Sequence, residues 1–114
     1  MDVPVQIALE ALSRSRSVRE GLARAARLVN LSPSRTRQLI KSETGLSPKK
    51  HLRHFRMDRA AELLSSTFLC VKEIAAQIGV GDVSHFVRDF KTTFGATPTG
   101  YRRALRDRYH RTAA

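Results

Sequence analysis

The chain has 114 residues, which is the size of one domain or of two half-domains that share a helix. The chain has 21 Lys and Arg residues, sixteen of them Arg, against 10 Asp and Glu. The formal net charge of +11 indicates a polyanionic partner, and nucleic acid is the first candidate. No apolar run approaches the roughly 20 residues that span a bilayer, and residues 1–12 lack the pattern of a signal peptide. The basic residues are spread over several short helices and not along one long amphipathic helix, so we expect no membrane partner and a cytoplasmic protein.

Apolar residues recur at the spacing of amphipathic helices along the chain, and strand signals are absent, so we expect an all-α fold of about seven helices. In chain order, the predicted helices are one around Val5, Leu9 and Leu12, then residues 18–29, 33–41, 48–65, 71–78 and 82–93, and a last one that starts at Thr97-Pro98.

Three helix starts and two helix ends are marked by single residues. A hydroxyl residue precedes proline at Ser32-Pro33, Ser47-Pro48 and Thr97-Pro98, and this pair suits the N-cap and first position of a helix. Gly45 and Gly95 suit a helix C-terminus, because glycine adopts the left-handed backbone that ends a helix.

The two halves of the chain share these landmarks at one fixed offset along the sequence. The matching pairs are Ala25-Ala26 with Ala75-Ala76, Ser32 with Asp82, Ser34 with Ser84, Lys41 with Lys91, Gly45 with Gly95, and Ser47-Pro48 with Thr97-Pro98. The repeat predicts a duplicated unit. We therefore divide the chain into a subdomain at 1–46, a connecting helix at 47–66 and a second subdomain at 67–114.

Each half has the plan of a helix-turn-helix, with two short helices and a tight turn between them. Thr36, Leu39 and Ile40 are predicted to face inward in the first unit, and Phe86 and Phe90 in the second. The outward side chains are then Ser34, Arg35, Arg37, Gln38 and Lys41, and in the second unit Val83, Ser84, Val87, Arg88 and Lys91.

These outward side chains have the chemistry that DNA recognition requires. Arg37 and Arg88 suit guanine, Gln38 suits adenine, and Val83 or Val87 suits a thymine methyl group. Ser32, Lys41, His85, Lys91 and Thr97 are candidate phosphate contacts. A solvated helix face explains any one of these residues equally well, but both faces together on a strongly basic chain favour DNA.

The C-terminal stretch resembles the DNA-binding domain of the AraC/XylS family of transcription regulators. It carries Phe86, Arg88, Phe90-Lys91, Phe94-Gly95, Thr97-Pro98 and Tyr101-Arg102 at the family spacing. Glu43-Thr44-Gly45 with Ser47-Pro48 agrees, and so does the stretch from Leu52-Arg53 to Leu63-Leu64, so the resemblance covers about residues 18–103.

This resemblance implies two homeodomain-like helix-turn-helix subdomains on a long central helix, with both recognition helices in successive major-groove segments on one face of the duplex. The base-contacting positions it implies are Ser34, Arg35, Arg37 and Gln38 in the first recognition helix, and Val83, Ser84, Val87 and Arg88 in the second. Thr36 and Ile40 depart from the apolar and Phe residues common in the family, so the first subdomain is expected to pack less firmly.

Many members of the family carry an additional effector-binding and dimerisation domain. Only the short segment 1–17 precedes the first unit here, so we expect either a stand-alone member like the small stress-response regulators or a fragment. A stand-alone form is expected to bind DNA as a monomer, and RNA polymerase is a candidate second partner. No cofactor is expected.

Other classes of function have less support in the sequence. The acidic residues are scattered singly, which disfavours an enzyme. His51 and His54 lie three apart on one helix but lack the further ligands that zinc needs. Cys70 is expected to be a small core residue. The remaining alternative is a nucleoid-type protein that binds duplex DNA without sequence preference.

Overall fold

In the computed structural model the chain is described from residue 2 to residue 113, with side chains described as far as residue 110. Over these residues it forms seven helices and no strand, which confirms the predicted all-α fold. The helices are α1 (Val3–Ser13), α2 (Val18–Val29), α3 (Pro33–Thr44), α4 (Pro48–Ser66), α5 (Val71–Gln77), α6 (Val83–Phe94) and α7 (Pro98–Ala113).

The chain divides into two compact units, Met1–Phe55 and Arg56–Ala114. The boundary between the units lies inside α4, the predicted connecting helix, so each unit includes a part of this helix. The first unit holds α1, α2 and α3, and the second holds α5, α6 and α7.

The core of the first unit is built largely from small side chains, which allow its helices to pack closely. It contains Ala8, Ala11, Leu22, Ala25 and Ile40, with Leu9 and Val29 packed against it. One close approach is at Gly21 in α2, where a Cβ atom would lie 2.7 Å from Cδ1 of Leu12. Residue 21 therefore has room only for a hydrogen.

Thr36 lies in the first turn of α3 and has no exposed surface. The Thr36 hydroxyl donates to the backbone carbonyl of Ser32 at 2.9 Å, so its polar atom is satisfied. Burial of a hydroxyl costs little when it is hydrogen-bonded. The inward orientation predicted for Thr36 and Ile40 is confirmed, since both are fully buried, whereas Leu39 is half-buried.

The second unit has a larger core built around aromatic rings. Phe86 and Phe90 are fully buried, as predicted, with ring centroids 5.9 Å apart. Phe94 and Tyr101 extend the cluster, and the Tyr101 ring meets the Phe90 ring edge-on at 5.3 Å. The other buried members are Met57, Ala60, Leu64, Ile74, Ala75 and Ile78.

The predicted environment of Cys70 needs a correction. Cys70 is an exposed residue at the N-cap of α5, and the expectation of a core position was wrong. Its backbone amide donates to the Glu73 carboxylate at 2.9 Å, and this bond, together with the Cys70 side chain, lowers the pKa of Glu73. Cys70 and Glu73 form a capping box at the exposed start of α5. No apolar pattern in the neighbouring sequence indicates that this cysteine is a cap.

The duplication does not follow a single offset. The amide of Leu31 donates to the carbonyl of Ala26 at 3.0 Å, and the amide of Val80 donates to that of Ala75 at 2.9 Å, so the ends of α2 and α5 correspond through these pairs. The N-cap Ser32 directly follows Leu31, whereas Gly81 stands between Val80 and the N-cap Asp82. The second turn therefore contains one additional residue, Gly81. Ala26 therefore corresponds to Ala75, not to Ala76.

Candidate nucleic-acid interface

The turn between α2 and α3 is set by backbone hydrogen bonds and one capping hydroxyl. Asn30 adopts the left-handed conformation with φ of 59°, and its amide closes the end of α2 on Ala26 and Arg27. Two residues later, the Ser32 hydroxyl accepts a hydrogen bond from the amide of Arg35 at 3.1 Å and starts α3. This tight connection is what a helix-turn-helix requires.

The outer face of α3 is polar along its length. All five side chains predicted to face outward are exposed, namely Ser34, Arg35, Arg37, Gln38 and Lys41. On the opposite face, Thr36 and Ile40 fix the helix against the core. The buried face thus holds the backbone of α3 in place, while three cations and an amide project from the other side.

The second turn also contains a left-handed residue, which here is a glycine. Gly79 has φ of 85°, which glycine adopts at little cost. The side chain of Asp82 then caps α6, since Oδ1 accepts hydrogen bonds from the amides of Ser84 at 2.9 Å and His85 at 3.3 Å. Asp82 is thus the N-cap of α6.

The outer face of α6 is more mixed than that of α3. Ser84, His85, Arg88 and Lys91 are exposed. Val83 departs from the expected exposed position, because it is half-buried and packs against the core of the second unit. Val87 is also half-buried. Burial of valine methyl groups against an apolar core is favourable, so only part of the surface of these two side chains remains accessible.

Three of the candidate phosphate contacts already have a local polar partner. The Thr97 hydroxyl accepts from the amide of Gly100 at 3.1 Å, as the Ser32 hydroxyl does from Arg35. Each hydroxyl keeps its own hydrogen for donation to an anion. His85 lies 3.0 Å from Asp89 on the same helix face, with Nε2 directed at the carboxylate Oδ2.

His51, the first member of the pair His51 and His54, has contacts within α3 and α4. Nε2 of His51 lies 2.7 Å from the Thr44 hydroxyl, and its ring stacks on Phe55. Burial, and then the neighbouring His54, lower the pKa of His51. Within the described part of the chain, no three His, Cys, Asp or Glu side chains are grouped so that they could hold a metal ion.

Arg102 has a structural role that its sequence position does not reveal. Its guanidinium in α7 donates to the carbonyl of Leu64 at 3.1 Å and to that of Thr67 at 3.2 Å. A bond between partners so distant in the sequence has no local signature, although Arg102 lies within the quoted family pattern. None of the helices in the described range is long and apolar enough to cross a membrane.

Residues 25–104 match the family model described as a helix-turn-helix domain. The chain is 37% identical over 92 residues to the HTH-type transcriptional activator RhaR of Mannheimia succiniciproducens, a match that covers 81% of this chain and 33% of that protein. The MmsAB operon regulatory protein of Pseudomonas aeruginosa is 32% identical over 85 residues, with 75% of this chain and 28% of that protein covered. The chain thus spans about a third or less of these relatives.

Solved structures give the same result for the fold. The C-terminal domain of AraT, a response regulator from Geobacillus stearothermophilus, superposes with a TM-score of 0.76 at 34% identity, over 90% of this chain and 86% of that one. The DNA-binding domain of AdpA, solved in complex with a target DNA, has a TM-score of 0.73 at 28% identity and covers 92% of this chain and 91% of its own.

Proposed function

Because the chain belongs to the AraC-type family of helix-turn-helix domains, we propose that it is a DNA-binding transcription regulator whose helices α3 and α6 enter successive major-groove segments of one duplex. The observation that carries this proposal is the repeated geometry of the two recognition helices. Each follows a tight turn, begins at a capped N-terminus and turns a buried face to its own core.

The exposed face of α3 supports a hydrogen-bonding mode of base recognition. Arg37 has a planar fork of donors that matches O6 and N7 of guanine, and the Gln38 amide matches N6 and N7 of adenine. Both side chains are exposed, with Ser34 and Arg35 beside them as further candidate contacts. A pair of this kind discriminates against a wrong base by about 1–3 kcal/mol.

The exposed face of α6 supports a mixed mode. Arg88 is the guanine-reading candidate, and Ser84 lies one turn before it. The half-buried methyl groups of Val83 and Val87 present small apolar surfaces that suit a thymine methyl group. Lys41 and Lys91 are both exposed near the ends of their helices, where they suit phosphates together with Ser32 and Thr97.

One chain with two recognition helices needs no symmetric partner to contact two groove segments, so the proposed DNA-bound form is a monomer. Successive major-groove segments on one face of B-DNA lie roughly 34 Å apart, which is one helical turn. A bacterial regulator of this family acts in the cytoplasm, and RNA polymerase is the second partner that regulation of transcription implies. The AdpA domain, with DNA in its structure, is an experimental parallel for the interface.

Selection of bound duplexes from a randomised library, followed by titration of the preferred duplex, tests the proposal. The preferred duplex should bind at least about a thousandfold more tightly than random duplex at physiological salt. Affinity should also fall steeply as salt rises, because each phosphate contact releases condensed counterions. A ratio near one across the library would contradict the proposal and favour binding without sequence preference. As a control, Arg14→Ala removes an exposed arginine next to α1, outside the family match, and should leave the ratio unchanged.

A further inference from the structure

The two recognition helices begin with different chemical groups at equivalent positions. Ser32, the N-cap of α3, is neutral and accepts one hydrogen bond from the amide of Arg35. Asp82, the N-cap of α6, accepts two, from the amides of Ser84 and His85. Both caps are exposed. The same capping task therefore places a full negative charge at the start of α6 and none at the start of α3.

The side chains next to the two caps increase this contrast. Arg35 and Arg37 follow Ser32 closely, and the first turn of α3 has no acidic residue. The first lysine or arginine after Asp82 is Arg88, in the second turn of α6. The start of α3 thus combines the positive end of the helix dipole with two guanidinium groups, whereas at α6 a carboxylate offsets that dipole.

The backbone amides differ in the same sense. A helix N-terminus attracts phosphate because its first amides point out of the helix without partners. At α6 the amides at the second and third positions are taken by Oδ1 of Asp82. At α3 the Ser32 hydroxyl accepts from the amide of Arg35 at the third position, and the amide of Ser34 at the second position donates no bond to it.

We propose that Asp82 keeps DNA phosphates away from the start of α6, so that this end of the helix contributes base contacts without a phosphate contact, while the start of α3 holds the backbone. The inference rests on the proposed function, because a charge at the start of α6 matters only if that end approaches the duplex. Asp82 then has two opposed effects: it stabilises α6, and it weakens the binding of every duplex, whatever its sequence.

The reciprocal exchange of the two caps tests this. Asp82→Ser gives α6 the cap of α3, and Ser32→Asp gives α3 the cap of α6. The dissociation constant of each full chain is measured for a random-sequence duplex, and for the preferred duplex once selection has found one, at several salt concentrations. The thermal unfolding midpoint of each variant is measured without DNA.

Asp82→Ser should tighten binding of both duplexes about three- to tenfold, the effect of one like charge about 7 Å from a phosphate at a wet interface. It should also make the salt dependence steeper, and its unfolding midpoint should be equal to or below that of the parent chain. Ser32→Asp should weaken binding by a similar factor. Asp82→Asn keeps the capping oxygen without the charge, and should tighten binding even if the serine variant folds poorly.

Asp107→Ser is the matched control, since it removes one carboxylate from an exposed position on α7 and should change the affinity less than twofold. If Asp82 acted only as a cap, Asp82→Asn would not tighten binding, whatever Asp82→Ser does. Unchanged or weaker binding by Asp82→Asn therefore overturns the inference. The random duplex also separates the two proposals. If the chain has no preferred site, the proposed function fails, but Asp82→Asn can still tighten binding of the random duplex. If the chain has a preferred site and Asp82→Asn does not tighten binding of the random duplex, only the further inference fails.

Discussion

Arg102 of α7 closes the carboxyl end of α4 through the carbonyl of Leu64, to which Nε donates at 3.1 Å, while Nη2 donates to Thr67 at 3.2 Å. The last four carbonyls of a helix have no intrahelical partner. In this unit the planar guanidinium supplies two donors at the place where the chain leaves α4 and turns toward α5. The Arg of the Tyr-Arg pair in the family pattern is thus explained by the fold.

Replacement of Arg102 by alanine should lower the free energy of unfolding by about 1–3 kcal/mol, since it leaves the part-buried carbonyls without their charged donor. Urea denaturation measures this. Arg103→Ala, an exposed neighbour, should change the free energy of unfolding by less than about 0.5 kcal/mol. Equal effects of the two variants would show that the bonds to Leu64 and Thr67 contribute nothing.

Gly21→Ala should destabilise the first unit, although alanine favours helices over glycine by about 1 kcal/mol. The new Cβ would lie 2.7 Å from Leu12 Cδ1 and 2.9 Å from Ser15 Cβ, so α1 must move away from α2. Overpacking of this kind costs about 1–3 kcal/mol, and the net change should be a loss. Thermal unfolding of the variant measures the sign, and a raised midpoint would show that the contact is loose. Gly100→Ala is not a suitable control, because its Cβ would also approach a side chain.

The stability of the first unit should depend on the protonation of His51. Burial lowers the pKa of His51 in the folded chain below its ordinary value, so between the folded and unfolded values the unfolded state binds more protons. The contribution of His51 is complete above the unfolded pKa of about 6.5 and is lost as the pH falls through the folded value. Denaturation from pH 7.5 to pH 5 measures the loss.

His51→Gln should reduce that dependence on pH, whereas His110→Gln, at an exposed site on α7, should leave it in place. The Thr44 hydroxyl donates its hydrogen to the Ile40 carbonyl at 2.7 Å and lies 2.7 Å from Nε2 of His51. The pKa of His51 is lowered by burial and then by the neighbouring His54. Parallel profiles of unfolding free energy against pH for the parent chain and His51→Gln would refute the predicted contribution of His51.

Much of the fold could be predicted because its signals are local. Helix starts are marked by the hydroxyl residues that precede Pro33 and Pro98, where a single hydrogen bond decides the conformation. Helix ends are marked by Gly45 and Gly95, where a single φ angle decides it. The apolar spacing around Phe86 and Phe90 likewise fixed which face of α6 is buried.

What could not be predicted depends on residues distant in the sequence or on single-residue register. Cys70 is the N-cap of α5 at an exposed position, which no apolar pattern in its neighbours indicates. The change of offset between the two halves follows from one additional glycine in the second turn. Val83 turned partly inward because the core of its unit reaches the first position of α6. The outward face of α3 was predicted correctly because its inner residues are fixed by periodicity alone.

The most direct test of the two-helix account is selection from a randomised duplex library with the parent chain, Arg37→Ala and Arg88→Ala in parallel. Each variant should lose about 1–3 kcal/mol on the preferred duplex and relax the preference at one base pair, and the two base pairs should lie about one helical turn apart. If both variants relax the same base pair, or lose affinity equally on every sequence, α3 and α6 do not act as two separate base-reading helices.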